Sequence, residues 1–223
     1  GRLRRFRYVA NKNSTLVDGG IVTPDDDQLA ARLRLLRSHG MTSLTWDRHK
    51  GHAWSYDVVA PGYNYRIDEI RAAVGRVQLA KLAAANERRR ALDALYRKLL
   101  PAAAPGLGVP YDVSRGLSSC HLRPVLLPEG ANRTQFMAEM KARGIQTSIH
   151  YPPIHHFSYY RQAFGGESLP LTEMVGEREV TLPLYPALTP ADVEIVVAAV
   201  AEALAVTLDE DSRPTVGLTA LAV

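Results

Sequence analysis

The stretch from Asp68 to Pro101 constrains the fold more than any other part of the chain. Asp68 stands where an N-cap belongs, and Ile70, Val74 and Val77 mark an apolar stripe. The helical pattern then continues through Leu82, Leu92, Leu95 and Leu99 to Pro101. One long helix, or two bent ones, would run about 45 to 50 Å at 1.5 Å per residue. A helix of that length often bridges two domains. The expected division is therefore a first domain over 1–85, a small α/β domain over 86–206 and a flexible tail over 207–223.

On the N-terminal side, 21–23 is a strand candidate and a helix follows it. Thr23 is its expected cap and Pro24 its first position, with Asp25, Asp26 and Asp27 at the positive end of the helix dipole. Leu29, Leu33 and Leu36 form its stripe, and Gly40 ends it. Residues 41–60 are aromatic, contain histidine and have no clear period, which is the profile of a binding or interface loop. Trp46, Trp54 and Tyr56 need cover there.

Beyond the long helix, 101–118 reads as a loop and 121–127 as a strand that Pro124 demotes toward an edge. Asn132 caps a helix with Phe136, Met137 and Met140 inward and Gly144 as its stop. A second short strand over 145–150 is broken by Pro152 and Pro153, and IHHFSYYRQAFGG is an aromatic loop. A short helix over 172–180 precedes a strand over 181–185. In the last helix Thr189 is the cap, Pro190 takes the first position, and Val193, Val196, Val197, Val200 and Leu204 line one face. Strands alternating with helices give an α/β or α+β class.

The 223 residues are 46% hydrophobic, enough for a core, and carry 27 basic against 23 acidic side chains. Four of the positives are Arg2, Arg4, Arg5 and Arg7, so the rest of the chain is nearly neutral and a broad nucleic-acid face is not expected. Cys120 is the only cysteine, which excludes an intrachain disulfide and a thiolate metal cluster and points to a reduced, cytoplasmic setting. His49 and His52, and His150, His155 and His156, lack the i, i+4 spacing that brings two imidazoles onto one helix face, so no metal is expected. No apolar run is long enough to cross a bilayer, and the basic start leads into NKNST rather than a signal-peptide core. No membrane partner is expected. The chain opens on glycine and enters a loop with no element before it, so an N-terminal part is expected to be missing.

Residues 10–20, ANKNSTLVDGG, place Lys12 among small polar residues and close on a glycine pair, which reads as a turn-rich loop able to present an amine. By itself Lys12 reads as a solvated surface lysine. It belongs, however, to an ordered series: NKN and VDGG around Lys12, LRLLRSHGM at 33–41, PGYNYRIDEIRAAVGRVQL, GIQTSIHYPPIH at 144–155, and TLPLYPALTPADVE. This series resembles the DegT/DnrJ/EryC1/StrS family of sugar aminotransferases over nearly the whole chain.

The resemblance implies the C-terminal portion of a pyridoxal phosphate (PLP) enzyme of fold type I: a remnant of the large domain plus a small α/β domain. It implies a homodimer with Lys12 as the residue that takes the cofactor aldehyde. Asn64 matches the asparagine that reaches the cofactor phosphate of the other subunit, Arg66 stands where a guanidinium helps hold an anion, and His150 and Tyr151 match a segment beside the substrate pocket. The partners implied are an amino acid donor, glutamate or glutamine, and a keto-sugar acceptor, usually nucleotide-linked.

The chain also departs from the family pattern. Arg7 stands where a phosphate-binding hydroxyl is usual, and Asp18 where a glutamate is usual. The aspartate for the pyridine nitrogen, the ring-stacking aromatic and the glycine-rich phosphate loop belong upstream of Lys12. Two readings follow: an aminotransferase or its C-terminal half, itself expected to be inactive, and a truncated or degenerate relative that keeps dimer and ligand surfaces without catalysis.

Overall fold

The computed structural model describes residues 3–43, 51, 55–111 and 116–208; Trp46, Trp54, His49, His52 and the tail beyond 208 lie outside them. The chain divides into two compact units, Gly1–Ala83 and Ala84–Val223.

In the first unit β1 (Leu3–Arg7) pairs antiparallel with β2 (Gly20–Pro24), from Leu3 opposite Pro24 to Arg7 opposite Gly20. No strand was expected in LRRFR, because basic residues interrupt any alternation of apolar and polar positions. Its side chains are all exposed, so backbone pairing with β2 holds it rather than a buried face. Arg4 Nη1 adds an ion pair to Asp25 Oδ1 at 2.8 Å. Both partners are half exposed, and such a pair contributes about 0–1 kcal/mol.

Helix α1 (Asp27–Leu36) starts later than expected. Its cap is Asp26, whose carboxylate accepts from the Leu29 N–H at 2.9 Å, because Thr23 and Pro24 are taken up by strand β2. Leu29, Leu33 and Leu36 are half-buried rather than buried. At the helix end Gly40, at φ +70°, donates its N–H to the Leu35 carbonyl, a backbone conformation that glycine adopts without strain.

Helix α2 (Glu69–Ala103) is one continuous helix, capped by the Asp68 carboxylate on the Arg71 N–H at 2.8 Å. It runs past Pro101 to Ala103; a missing N–H in the last turn forfeits a single bond. Its part in the first unit leaves Ile70 79% and Val77 54% exposed. There the helix receives Leu16 at Gly75, where a Cβ would fall 1.9 Å from Leu16 Cδ2. The packing changes along the helix: in the second unit Arg89, Leu92, Asp93, Tyr96 and Leu100 are buried at i, i+3, i+4, i+7 and i+11, and Leu95 and Leu99 pack at their edge.

That stripe faces a core built from β3 (Arg123–Leu126), β4 (Glu179–Leu182), α3 (Arg133–Ala142) and α6 (Pro190–Thr207). Val125, Leu127, Phe136, Met140, Val180, Val193 and Val200 are fully enclosed in it. The strands β3 and β4 form a two-stranded antiparallel sheet in which Val125 faces Val180. Leu126 exchanges both backbone hydrogen bonds with Gly108 on the opposite edge, and Pro124, two residues earlier, turns its absent donor to that same edge.

The expected strand over 145–150 does not form. Only Ser148 pairs, through a single bridge to Thr181, and the prolines that follow stop the ladder. The aromatic stretch expected as a loop is helical instead: a 3-10 turn, Ile154–His156, and then α4 (Ser158–Phe164), closed by Gly165. Helix α5 (Pro170–Arg178) and β4 both begin two residues earlier than expected, since Pro170 suits the first helical turn and Glu179 already pairs with Leu126.

Candidate cofactor and substrate site

Lys12 lies in the loop that joins β1 to β2. Tyr8 closes the loop, donating its N–H to the Gly19 carbonyl at 2.9 Å and accepting from the Leu16 N–H at 3.1 Å, while the Lys12 N–H turns back to Val9 O at 3.0 Å. Ser14 and Leu16 are buried and Lys12 is half-buried. With Leu16 seated against Gly75, the loop is held from below. The amine-bearing residue sits on a pinned turn rather than a free tether.

The segment carrying Asn64 and Arg66 lies across the end of α1. Tyr63 N donates to Leu36 O at 2.6 Å, Tyr65 N to Arg37 O at 2.8 Å, and His39 N to Tyr63 O at 2.9 Å. Two glycines permit this approach, since a Cβ on Gly62 would fall 2.2 Å from Gly40 N. The rings of Tyr63 and Tyr65 stack at 4.9 Å. Beside them opens a cleft along which Asn64 and Arg66 are joined by Arg5, Arg34 and Arg37, facing Asp18 and the glycine pair Gly19 and Gly20. Guanidinium and amide groups are of the kind that hold a phosphate-sized anion. Lys12 does not line this cleft. Arg7 ends β1 opposite Gly20 with its side chain exposed, and it does not line the cleft either.

His150 and Tyr151 belong to the second unit. The His150 N–H donates to Glu179 Oε2 at 2.8 Å, and its Nδ1 meets Thr181 Oγ1 at 2.9 Å. The Thr181 hydroxyl donates to Glu179 Oε1 at 2.5 Å, which leaves its oxygen free to accept from Nδ1. Tyr151 follows through a cis peptide bond, is 63% exposed and meets the His150 ring edge-on at 4.8 Å. Glu179 and Thr181, both buried, orient His150 from strand β4. They were missed in the sequence because they lie far from His150 along the chain and follow only an apolar strand pattern. The neighbouring rings of His155 and His156 meet edge-on at 4.4 Å.

The model of the DegT/DnrJ/EryC1/StrS aminotransferase family matches residues 1–201. The chain belongs to this family. A curated relative, an uncharacterised protein of Methanocaldococcus jannaschii, is 35% identical over 206 residues, 90% of this chain and 53% of the relative. Among solved structures, Helicobacter pylori PseC, an aminotransferase of pseudoaminic acid biosynthesis, matches with a TM-score of 0.83 and 25% identity over 92% of this chain and 54% of its own. The aminotransferase TlmJ from Streptoalloteichus hindustanus matches with a TM-score of 0.79 and 31% identity over 92% of this chain and 53% of its own.

The chain thus spans about half the length of the DegT/DnrJ/EryC1/StrS proteins it matches. The family is PLP-dependent, and its fold, mixed in helix and sheet, is the one seen here. Among the described residues no helix is long and apolar enough to cross a membrane.

Proposed function

We propose that the protein is a PLP-dependent aminotransferase that moves an amino group from an amino acid, glutamate or glutamine, to a nucleotide-linked keto sugar, working as a homodimer. The observation that carries this reading is the arginine-lined cleft holding Asn64 and Arg66 together. It fits a phosphate group, and the pinned, half-buried Lys12 fits the attachment of an aldehyde. When bound, PLP supplies the electron sink that amino transfer requires.

In this reading Lys12 would be the residue whose amine holds the cofactor and, when released from it, would carry a proton at Nζ. Asn64 and Arg66 hold the phosphate, serving the site of the partner subunit. His150, its Nδ1 committed to Thr181, offers Nε2 as an acceptor for a sugar hydroxyl, and Tyr151 forms the wall beside it. The second reading, a non-catalytic relative that keeps dimer and ligand surfaces, is favoured by the apolar stripe of α2 left exposed at Ile70 and Val77.

Borohydride reduction of the protein expressed from its whole gene, followed by peptide mapping, separates the two. The label is expected on Lys12 and lost in Lys12→Ala. Label on another lysine, or none in a protein that visibly binds the cofactor, overturns the assignment.

A further inference from the structure

Outside that site, the second unit gathers a different set of side chains. The 3-10 turn Ile154–His156 lies against α5 because Gly176 carries no side chain: a Cβ there would fall 2.7 Å from the Pro153 ring. Glu173, one helical turn before Gly176, is thereby placed on the side that meets the turn. Glu173 Oε1 lies 2.9 Å from His155 Nε2 and 3.8 Å from His156 Nε2. Ligand atoms of the three residues fall within 4.8 Å of one another.

We propose that His155, His156 and Glu173 form a site for a divalent transition-metal cation of the zinc type, with solvent completing its coordination. Two imidazole nitrogens and one carboxylate oxygen are the donor set such ions accept, and tetrahedral bonds of about 2.0–2.1 Å put ligand atoms about 3.3 Å apart. The observed separations bracket that value, so small side-chain rotations complete the site. Glu173 is held from behind: Leu169 N–H donates to it at 2.8 Å and Ser168 Oγ at 3.4 Å, fixing the carboxylate as a preset ligand. His156, with 42% of its side chain exposed, leaves the way open to water and to the entering ion. The site does not depend on the aminotransferase reading and lies wholly within the second unit.

The test is calorimetric titration of the chelator-treated chain with zinc chloride, paired with the visible absorption of the cobalt(II) form. One equivalent of zinc is expected, with intense cobalt bands of low coordination number. His156→Ala, which removes an exposed ligand, and Glu173→Gln are each expected to weaken binding by at least about tenfold and to bleach the cobalt bands. Far-ultraviolet circular dichroism verifies that α5 persists in Glu173→Gln; if it melts, His156→Ala alone decides. No zinc binding by the parent chain overturns the proposal. So does unchanged affinity in His156→Ala, which would put the ion at other residues.

Discussion

Arg123 is 1% exposed and meets Asp93 Oδ1 at 2.6 Å, while Arg97 Nε takes the other carboxylate oxygen at 2.8 Å. Two guanidiniums share one acid, and Arg123 Nε and Nη2 and Arg97 Nη1 are buried without a hydrogen-bond partner among the described residues. Removing the acid strands the buried Arg123, whereas removing Asp93 and Arg123 together leaves only Arg97, which is part-exposed to solvent. Asp93→Asn is therefore expected to lower stability by about 3–5 kcal/mol, and the pair Asp93→Leu with Arg123→Met to cost far less, as measured by urea denaturation. The stripe read from the sequence, through Leu92, Leu95 and Leu99, did not include Asp93 or Arg97, so it gave no notice of this cluster. Lys12 shows the reverse case. Its loop was legible from the small polar residues and the glycine pair, but Leu16 seated on Gly75 shows up only in three dimensions.

Among the elements, α6 was read in full: Thr189 caps it, Pro190 follows, and Val193, Val196, Val197, Val200 and Leu204 are all buried. Its cap is reciprocal, with Thr189 Oγ1 accepting from the Asp192 N–H at 3.1 Å and Asp192 Oδ2 accepting from the Thr189 N–H at 2.8 Å. Thr189→Ala is expected to cost about 1 kcal/mol in thermal or urea unfolding. The Thr189 N–H, then its hydroxyl, lower the Asp192 carboxyl from its ordinary value of 3.8. A depressed folded value means the contribution is present above the unfolded value and is lost as pH falls through the folded one. Melting temperatures scanned downward from pH 5 should thus show a shallower acid limb in Asp192→Asn.

The segment carrying Asn64 makes a different prediction at this scale. In Gly62→Ala the added methyl meets Gly40 N at 2.2 Å, so the segment must lift from the end of α1. Loss of cofactor affinity is expected with helix content unchanged, by PLP titration and circular dichroism on the protein from its whole gene. Unchanged affinity would mean that Asn64 and Arg66 do not hold the phosphate.

For the whole molecule, the two units differ in how far they cover their own apolar surface. The second encloses a core, and the first leaves Leu3, Phe6, Ile70 and Val77 in solvent. Surface of this kind marks an interaction face. If that face brings Asn64 to a partner subunit, Lys12→Ala and Asn64→Ala proteins expressed from the whole gene should each be inactive. Mixing them should restore some transamination, since one site of the mixed dimer has both residues. No recovery despite proven subunit exchange would assign Asn64 to its own subunit. The 223-residue chain alone, its cleft and apolar stripe open, is expected to leave PLP unconverted when incubated with glutamate, as followed by absorbance.

The sequence by itself determined the features that depend on neighbours a few residues apart: the caps at Asp68, Asn132 and Thr189, the stripe of α6 and the glycine stops. These rest on hydrogen bonds and side-chain periods that close within one or two helical turns, so local residue order suffices. Tertiary structure decided the rest. Strand β1 exists because β2 supplies its backbone partners, and 145–150 is not a strand because only Ser148 finds one. His150 takes its orientation from Thr181 and Glu179, and His155 and His156 acquire a shared carboxylate from α5. Each of these depends on residues far apart in the chain, whose meeting is set by how β4, α5 and the turn at His155 pack rather than by any local pattern.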